Sequence, residues 1–290
     1  MLAWANWRGK RSEQVREQVM KDGRLSEVYC RSFGAGPRRV LAVHCSLAHS
    51  GAWRGLAEVM RDEITITAFD MFAHGRSPDW DETMDFQDAN VTAGLALLDR
   101  EAGQVDLIGH SFGATVALRM AQARPERVRS LVLIEPVLFA IARQEAPELQ
   151  AALETKEAPF NALFQSGDVE QATRLFNRTW GTGKPKWEDM PEQARAAMVR
   201  AMRAVPTSYK TLYLDDKGVL EPGALDPVKM PVLLLSGGAS QPVMPVINEG
   251  LARRLPQARC EVVAEAGHML PITHAAVTAG LLSQFWAGIA

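Results

Sequence analysis

The sequence is short of cysteine, of long apolar runs and of any excess of one charge. Three cysteines in 290 residues, Cys30, Cys45 and Cys260, are odd in number and widely spaced. They suggest neither a disulfide framework nor a zinc site, and a reducing, cytoplasmic compartment is expected. No stretch approaches the roughly 20 apolar residues that a membrane helix needs. The N-terminal stretch soon becomes charged and makes a poor signal peptide. With 32 basic and 34 acidic residues the formal net charge is −2. That balance gives no electrostatic reason to expect nucleic acid or an anionic membrane as partner. Internal repeats and low-complexity segments are also missing.

What the sequence does have is short apolar runs of strand length, each followed by a turn or a helical pattern. The runs are EVYCRSFG, RRVLAVHCS, EITITAFDM, QVDLIGHS, RVRSLVLIEP, MPVLLLSGG and ARCEVVAEAGH. Strands alternating with helices predict an α/β fold with a doubly wound, mostly parallel β-sheet covered on both faces. Between residues 137 and 225 the strand signal vanishes and amphipathic helical stretches take over. The sheet pattern then resumes. The expected organisation is therefore a helical N-terminal extension (1–26), a core (27–136 and 226–290) and an inserted helical cap (137–225).

The chemistry centres on GHSFG, residues 109–113. G-x-S-x-G alone is a weak signal. Here it follows an apolar strand and opens a helix, the context that lifts a serine above a sheet edge. Ser111 is the expected nucleophile, against the alternative of a helix-capping serine. A serine needs a base, usually histidine. Of the six histidines, His110 adjoins the serine but points to the opposite face. His44 and His74 sit where they can bond nearby backbone. His268, in AEAGHMLP after the last strand, lies at the same carboxyl edge of the sheet as Ser111, where open α/β sheets bind ligands.

Strand–GHSFG–helix, a cap after the next strand and a late GHMLP resemble the α/β-hydrolase superfamily, over about residues 27–290. VHCSLAHSGAW is similar to that family's oxyanion loop and DMFAHGRS to one of its turns. The resemblance implies that Ser111 attacks, that His268 is the general base 157 residues on (268 − 111), and that no cofactor or metal is needed. It also implies two backbone donors for the oxyanion, one from Phe112 and one from Ser46, with Leu47 next in line. Cys45 stands where the family often has glycine, and is read as a small buried residue.

The chain departs from the family at the acid. Most members carry an aspartate soon after the strand that follows the cap. Here that position is Gln241, and no carboxylate lies between Asp226 and Glu249. Glu135 ends LVLIEP, at the carboxyl edge and 24 residues after Ser111 (135 − 111), and some relatives carry their acid there. It is the expected partner of His268. A serine rather than an aspartate nucleophile disfavours dehalogenase and epoxide-hydrolase chemistry. Trp180, before GTGKP, is the expected lining residue, in a stretch that reads as a loop. The expected substrate is a small-molecule ester, thioester or lactone in a mainly apolar pocket. C–C bond hydrolysis of ring-cleavage products, and a non-catalytic ligand-binding protein motivated by Gln241, are the alternatives. The sequence gives no oligomeric state.

Overall fold

The computed structural model describes residues 14–21 and 24–289. Its sheet has eight strands: β1 (Gln14–Lys21), β2 (Arg24–Gly34), β3 (Arg38–Val43), β4 (Ile64–Phe69), β5 (Val105–His110), β6 (Val128–Ile134), β7 (Val232–Gly237) and β8 (Ala258–Val263). They lie in the order β1-β2-β4-β3-β5-β6-β7-β8. β2 is antiparallel to β1 and β4, and every other pair is parallel. The expectation of a helix over residues 1–26 is corrected at 14–21. Those residues form a strand paired in register with β2, from Gln14↔Arg31 to Lys21↔Arg24. Residues 1–13 lie outside the described residues.

The sheet is doubly wound because its strands alternate at period two between faces that are both covered. Leu41, Val43, Leu107, Leu131, Leu133 and Leu234 point to one face. There they meet helices α2 (Phe86–Leu98) and α3 (Phe112–Ala123). Val40, Ala42, Ile108, Val132, Ile134 and Leu235 point to the other, against α1 (Arg54–Val59) and, further on, the C-terminal helix. β5 and β7 are buried along their whole length, which is why Leu107-Ile108 and Val232–Leu235 run on without polar alternation.

After β6 the chain is helical up to β7. It forms α4 (Phe139–Glu145), α5 (Pro147–Gln165), α6 (Val169–Trp180), α7 (Glu192–Met202) and α8 (Tyr209–Leu214). The sheet resumes with β7, followed by α9 (Val243–Arg254), β8, α10 (Leu270–Thr273) and α11 (Ala275–Trp286). β3 sits between β4 and β5, so the chain reverses direction across the sheet there. The crevice at such a switch point, outside the carboxyl ends of the strands, is where doubly wound sheets take ligands.

On the opposite side of the sheet Asp106 is fully buried on β5. It accepts from Arg38 (Nε 2.7 Å, Nη2 2.9 Å), from Arg129 (Nε 3.2 Å, Nη2 2.5 Å) and from Ser130 Oγ at 2.6 Å. Arg38 also covers the Trp286 ring, and Trp286 Nε1 donates to Ser130 Oγ. One carboxylate thus ties β3, β5, β6 and α11 together. Asp106→Ala leaves two half-buried guanidinium groups without their counter-ion. It is expected to cost about 3–5 kcal/mol of unfolding free energy in urea titration. A loss below about 1 kcal/mol would show the network to be dispensable.

Candidate active site

The turn that carries Ser111 is built by its glycines. Ser111 holds φ 56° and ψ −121°, between β5 and α3. A Cβ on Gly109 would run into Gly113 O and Ala114 Cα, and one on Gly113 into the Val43 and His44 carbonyls. The first turn of α3 can therefore press against β3 and β5 only if both positions are glycine. Ser111 N–H donates to Ile134 O at 2.8 Å, fixing the turn to β6. The positive φ of a non-glycine residue is a strained conformation that the surrounding packing enforces.

His268 follows β8 and shares one cavity with Ser111. The residue is held at its ring and at its backbone. Nδ1 donates to Glu135 Oε2 at 2.8 Å, and the backbone carbonyl accepts from His110 Nε2 at 2.8 Å. The first bond leaves Nε2 as the free lone pair of a neutral imidazole. Glu135 is fully buried just past β6, at φ 51°. Its Oε1 accepts from Gly237 N–H at 2.8 Å and its Oε2 from Ser240 Oγ at 2.5 Å. Three donors converge on this one carboxylate. Gln241 turns away: its Oε1 accepts from Lys156 Nζ at 3.2 Å and its Nε2 donates to Thr179 O at 3.4 Å. Ser240, one residue earlier, supplies the contact from this loop.

The loop after β3 is held by two histidines. His44 Nδ1 donates to Cys45 O at 2.8 Å and Nε2 accepts from Met71 N–H at 2.9 Å. His74 Nδ1 donates to Phe72 O at 2.8 Å and Nε2 accepts from Leu47 N–H at 3.1 Å. Each ring has one acceptor and one donor partner, which fits only the neutral form. The expectation that Leu47 serves as an oxyanion donor is corrected: its N–H is already spent on His74. Ser46 and Phe112 both line the cavity. Phe112 opens α3, so its N–H has no partner within the helix. Cys45 is buried, and burial pushes its thiol up to about 12, far from the reactive thiolate.

Trp180 also lines the cavity. It is the last residue of α6 rather than part of a loop, and its ring meets His268 edge-on with centroids 4.7 Å apart. Its Nε1 donates to Glu157 Oε1 at 3.0 Å. Glu157, on α5, was not singled out by any sequence pattern. The cavity holds about 170 Å³ and has apolar walls that include Val137, Phe139, Phe160 and Leu212.

Burial pushes the imidazoles of His44, His74 and His110 down, to about 3, 4 and 3. Neighbouring histidines add to the shift at His44 (from His74) and at His110 (from His268). Unfolded histidine titrates near 6.5. Above that value both states are neutral and nothing is lost. As pH falls below it the unfolded chain takes up protons that the folded protein refuses, so stability drops by about 1.4 kcal/mol per group per pH unit. Between pH 7.5 and 5.5 these three groups should together remove roughly 4 kcal/mol, read from urea titrations at the two values. A flat profile would mean that the rings protonate in place.

The matched family is that of the alpha/beta hydrolases, whose model covers residues 40–281. The chain belongs to that family. It is 27% identical over 248 residues to the pimeloyl-[acyl-carrier protein] methyl ester esterase of Nitrosomonas europaea, spanning 84% of this chain and 93% of that one. Lipase LipV of Mycobacterium tuberculosis is 43% identical over 116 residues, 39% of this chain and 43% of LipV. Among solved structures, carboxylesterase CesB (YbfK) from Bacillus subtilis superposes with a TM-score of 0.66 at 18% identity, over 96% of this chain and 94% of that one. The chain is accordingly an enzyme of the esterase and lipase type of hydrolase.

Proposed function

We propose that the chain hydrolyses a carboxylic ester, thioester or lactone of a small to medium, mainly apolar substrate, through an acyl-serine intermediate. The observation that carries this reading is the Glu135–His268 contact at 2.8 Å, on a base that shares a cavity with Ser111. His268 Nε2 takes the Ser111 Oγ proton as the oxygen attacks the carbonyl carbon. The electron pair moves onto the carbonyl oxygen, between the N–H groups of Phe112 and Ser46. The intermediate collapses as imidazolium hands its proton to the leaving alcohol. Water, deprotonated by the same ring, then releases the acid and restores Ser111. Glu135 holds the ring in the correct tautomer and faces its transient positive charge.

Helices α4–α8 act in this reading as a cap that closes the site with apolar walls. An apolar cavity of 150 Å³ holds about one benzene ring. The space here, about 170 Å³, fits an acyl group of similar bulk. Among the described residues no helix is long and apolar enough to cross a membrane. The departure at Gln241, which motivates a non-catalytic reading, carries less weight once Glu135 stands against His268.

A fluorophosphonate probe tests the proposal directly. It should add once to the wild-type protein, with the adduct on the peptide that carries Ser111. An unlabelled protein, or undiminished labelling of Ser111→Ala, would refute it.

A further inference from the structure

The cavity wall contains an acid that the proposed chemistry does not use. Glu157 is about nine-tenths buried and faces the same cavity as Ser111. Trp180 Nε1 donates to its Oε1 at 3.0 Å and Tyr213 OH to its Oε2 at 2.9 Å. A carboxylate offers about four lone-pair sites, so these two donors leave half of its accepting capacity unfilled. Burial raises its pKa and the Glu154 charge adds to this; the bonds from Tyr213 and Trp180 and the charge of Lys156, next in the chain, offset it only in part. Glu154 also lines the cavity, and no lysine or arginine does. The one other imidazole in the wall, His74, is held neutral. Trp180 touches both His268 and Glu157, so a single indole separates the base from the spare acid.

We propose that Glu157 sets the substrate class: it favours acyl groups that end in a hydrogen-bond donor, an ammonium above all, and rejects those that end in a carboxylate. The proposal rests on the reading of Ser111 as an ester-cleaving nucleophile in this cavity. An incoming ammonium fills the unused lone pairs and compensates the buried charge. An incoming carboxylate meets like charge with no cation in the cavity wall to receive it, a penalty of the kind that governs specificity in charged interfaces. The Lys156 ammonium lies outside the wall and donates to Gln241. A plain alkyl end suffers neither effect and falls between them.

The test uses p-nitrophenyl esters of 6-aminohexanoate, heptanoate and adipate at pH 8, with Ser111→Ala as the background for spontaneous hydrolysis. Wild-type kcat/KM should fall in that order, with about thirtyfold or more between the first and the last. Glu157→Gln keeps the shape and removes the charge, and should shrink the ratio to within about threefold. If Glu157 only clamps Trp180 and Tyr213, the substitution slows all three esters alike and the ratio stays put, which overturns the proposal. So does a wild type indifferent to the terminal group. Binding of hexylammonium and hexanoate to the wild type, followed by calorimetry, needs neither turnover nor a folded variant. Tighter binding of hexylammonium supports the proposal, and equal or tighter binding of hexanoate overturns it. Loss of Ser111-dependent turnover with all three esters, alongside selective ammonium binding, would instead sink the esterase reading and leave the selectivity standing.

Discussion

Ser111→Ala should lower kcat on p-nitrophenyl acetate by about 10⁶-fold with the fold intact. The magnitude is that of removing the serine from a triad that works as a unit, as in subtilisin. Alanine retains the Cβ, so the strain of the turn at φ 56° is unchanged, and the flanking glycines still allow α3 to pack on β3. The N–H groups of Phe112 and Ser46 also remain. A residual rate above water, of order 10³-fold, is therefore expected from the donors and from binding alone. Unfolding free energies should match within about 0.5 kcal/mol. A variant that retains more than about 1% of wild-type kcat would mean that another group attacks the ester. Cys45 is the residue in the same cavity that such a result would implicate, and its buried, protonated thiol argues against it.

How much of this was legible in the sequence depends on whether the signal was local. The Ser111 turn was readable because its requirements sit within five residues: a strand, two glycines that remove clashing Cβ atoms, and a helix start. Glu135 was readable as the carboxylate at a strand end when none lay between Asp226 and Glu249. The N-terminal strand was not. QVREQVMK is made largely of good helix formers, and propensity is a weak prior that pairing with a neighbouring strand overrides. The Asp22-Gly23 dipeptide between the two segments is a hairpin signal that could have found it. Leu47 misled for a different reason. Its position beside Ser46 is visible in sequence, but the consumption of its N–H by His74, 27 residues away, is a tertiary fact. Glu157 carried no signal at all: one glutamate in a helix rich in them becomes special only when Trp180 and Tyr213 close over it.

Glu135→Gln should lower kcat by about 10⁴-fold, the scale of the corresponding aspartate-to-asparagine change in a serine protease triad. The carboxylate accepts three donors, with the bonds from His268 and Ser240 on Oε2 and that from Gly237 on Oε1. An amide cannot serve all three. If its oxygen faces His268 and Ser240, its NH₂ opposes the Gly237 N–H. If it flips, the NH₂ faces Nδ1 of His268 and draws the ring into the tautomer that carries its proton on Nε2. That ring cannot take the proton of Ser111, so the loss appears in kcat rather than KM. Gln241→Ala is the control. Its side chain bonds Lys156 and Thr179, so kcat should stay within about twofold of wild type. Ser240 Oγ and His268 Nδ1 reach the same oxygen of Glu135, so an aspartate at 240 would stand within reach of the ring. Adding Ser240→Asp to Glu135→Gln should therefore recover about tenfold or more of the lost kcat. If Glu135→Gln stays within about tenfold of wild type while folded, His268 takes its orientation from the His110 bond to its carbonyl, and Glu135 is not the acid of this site.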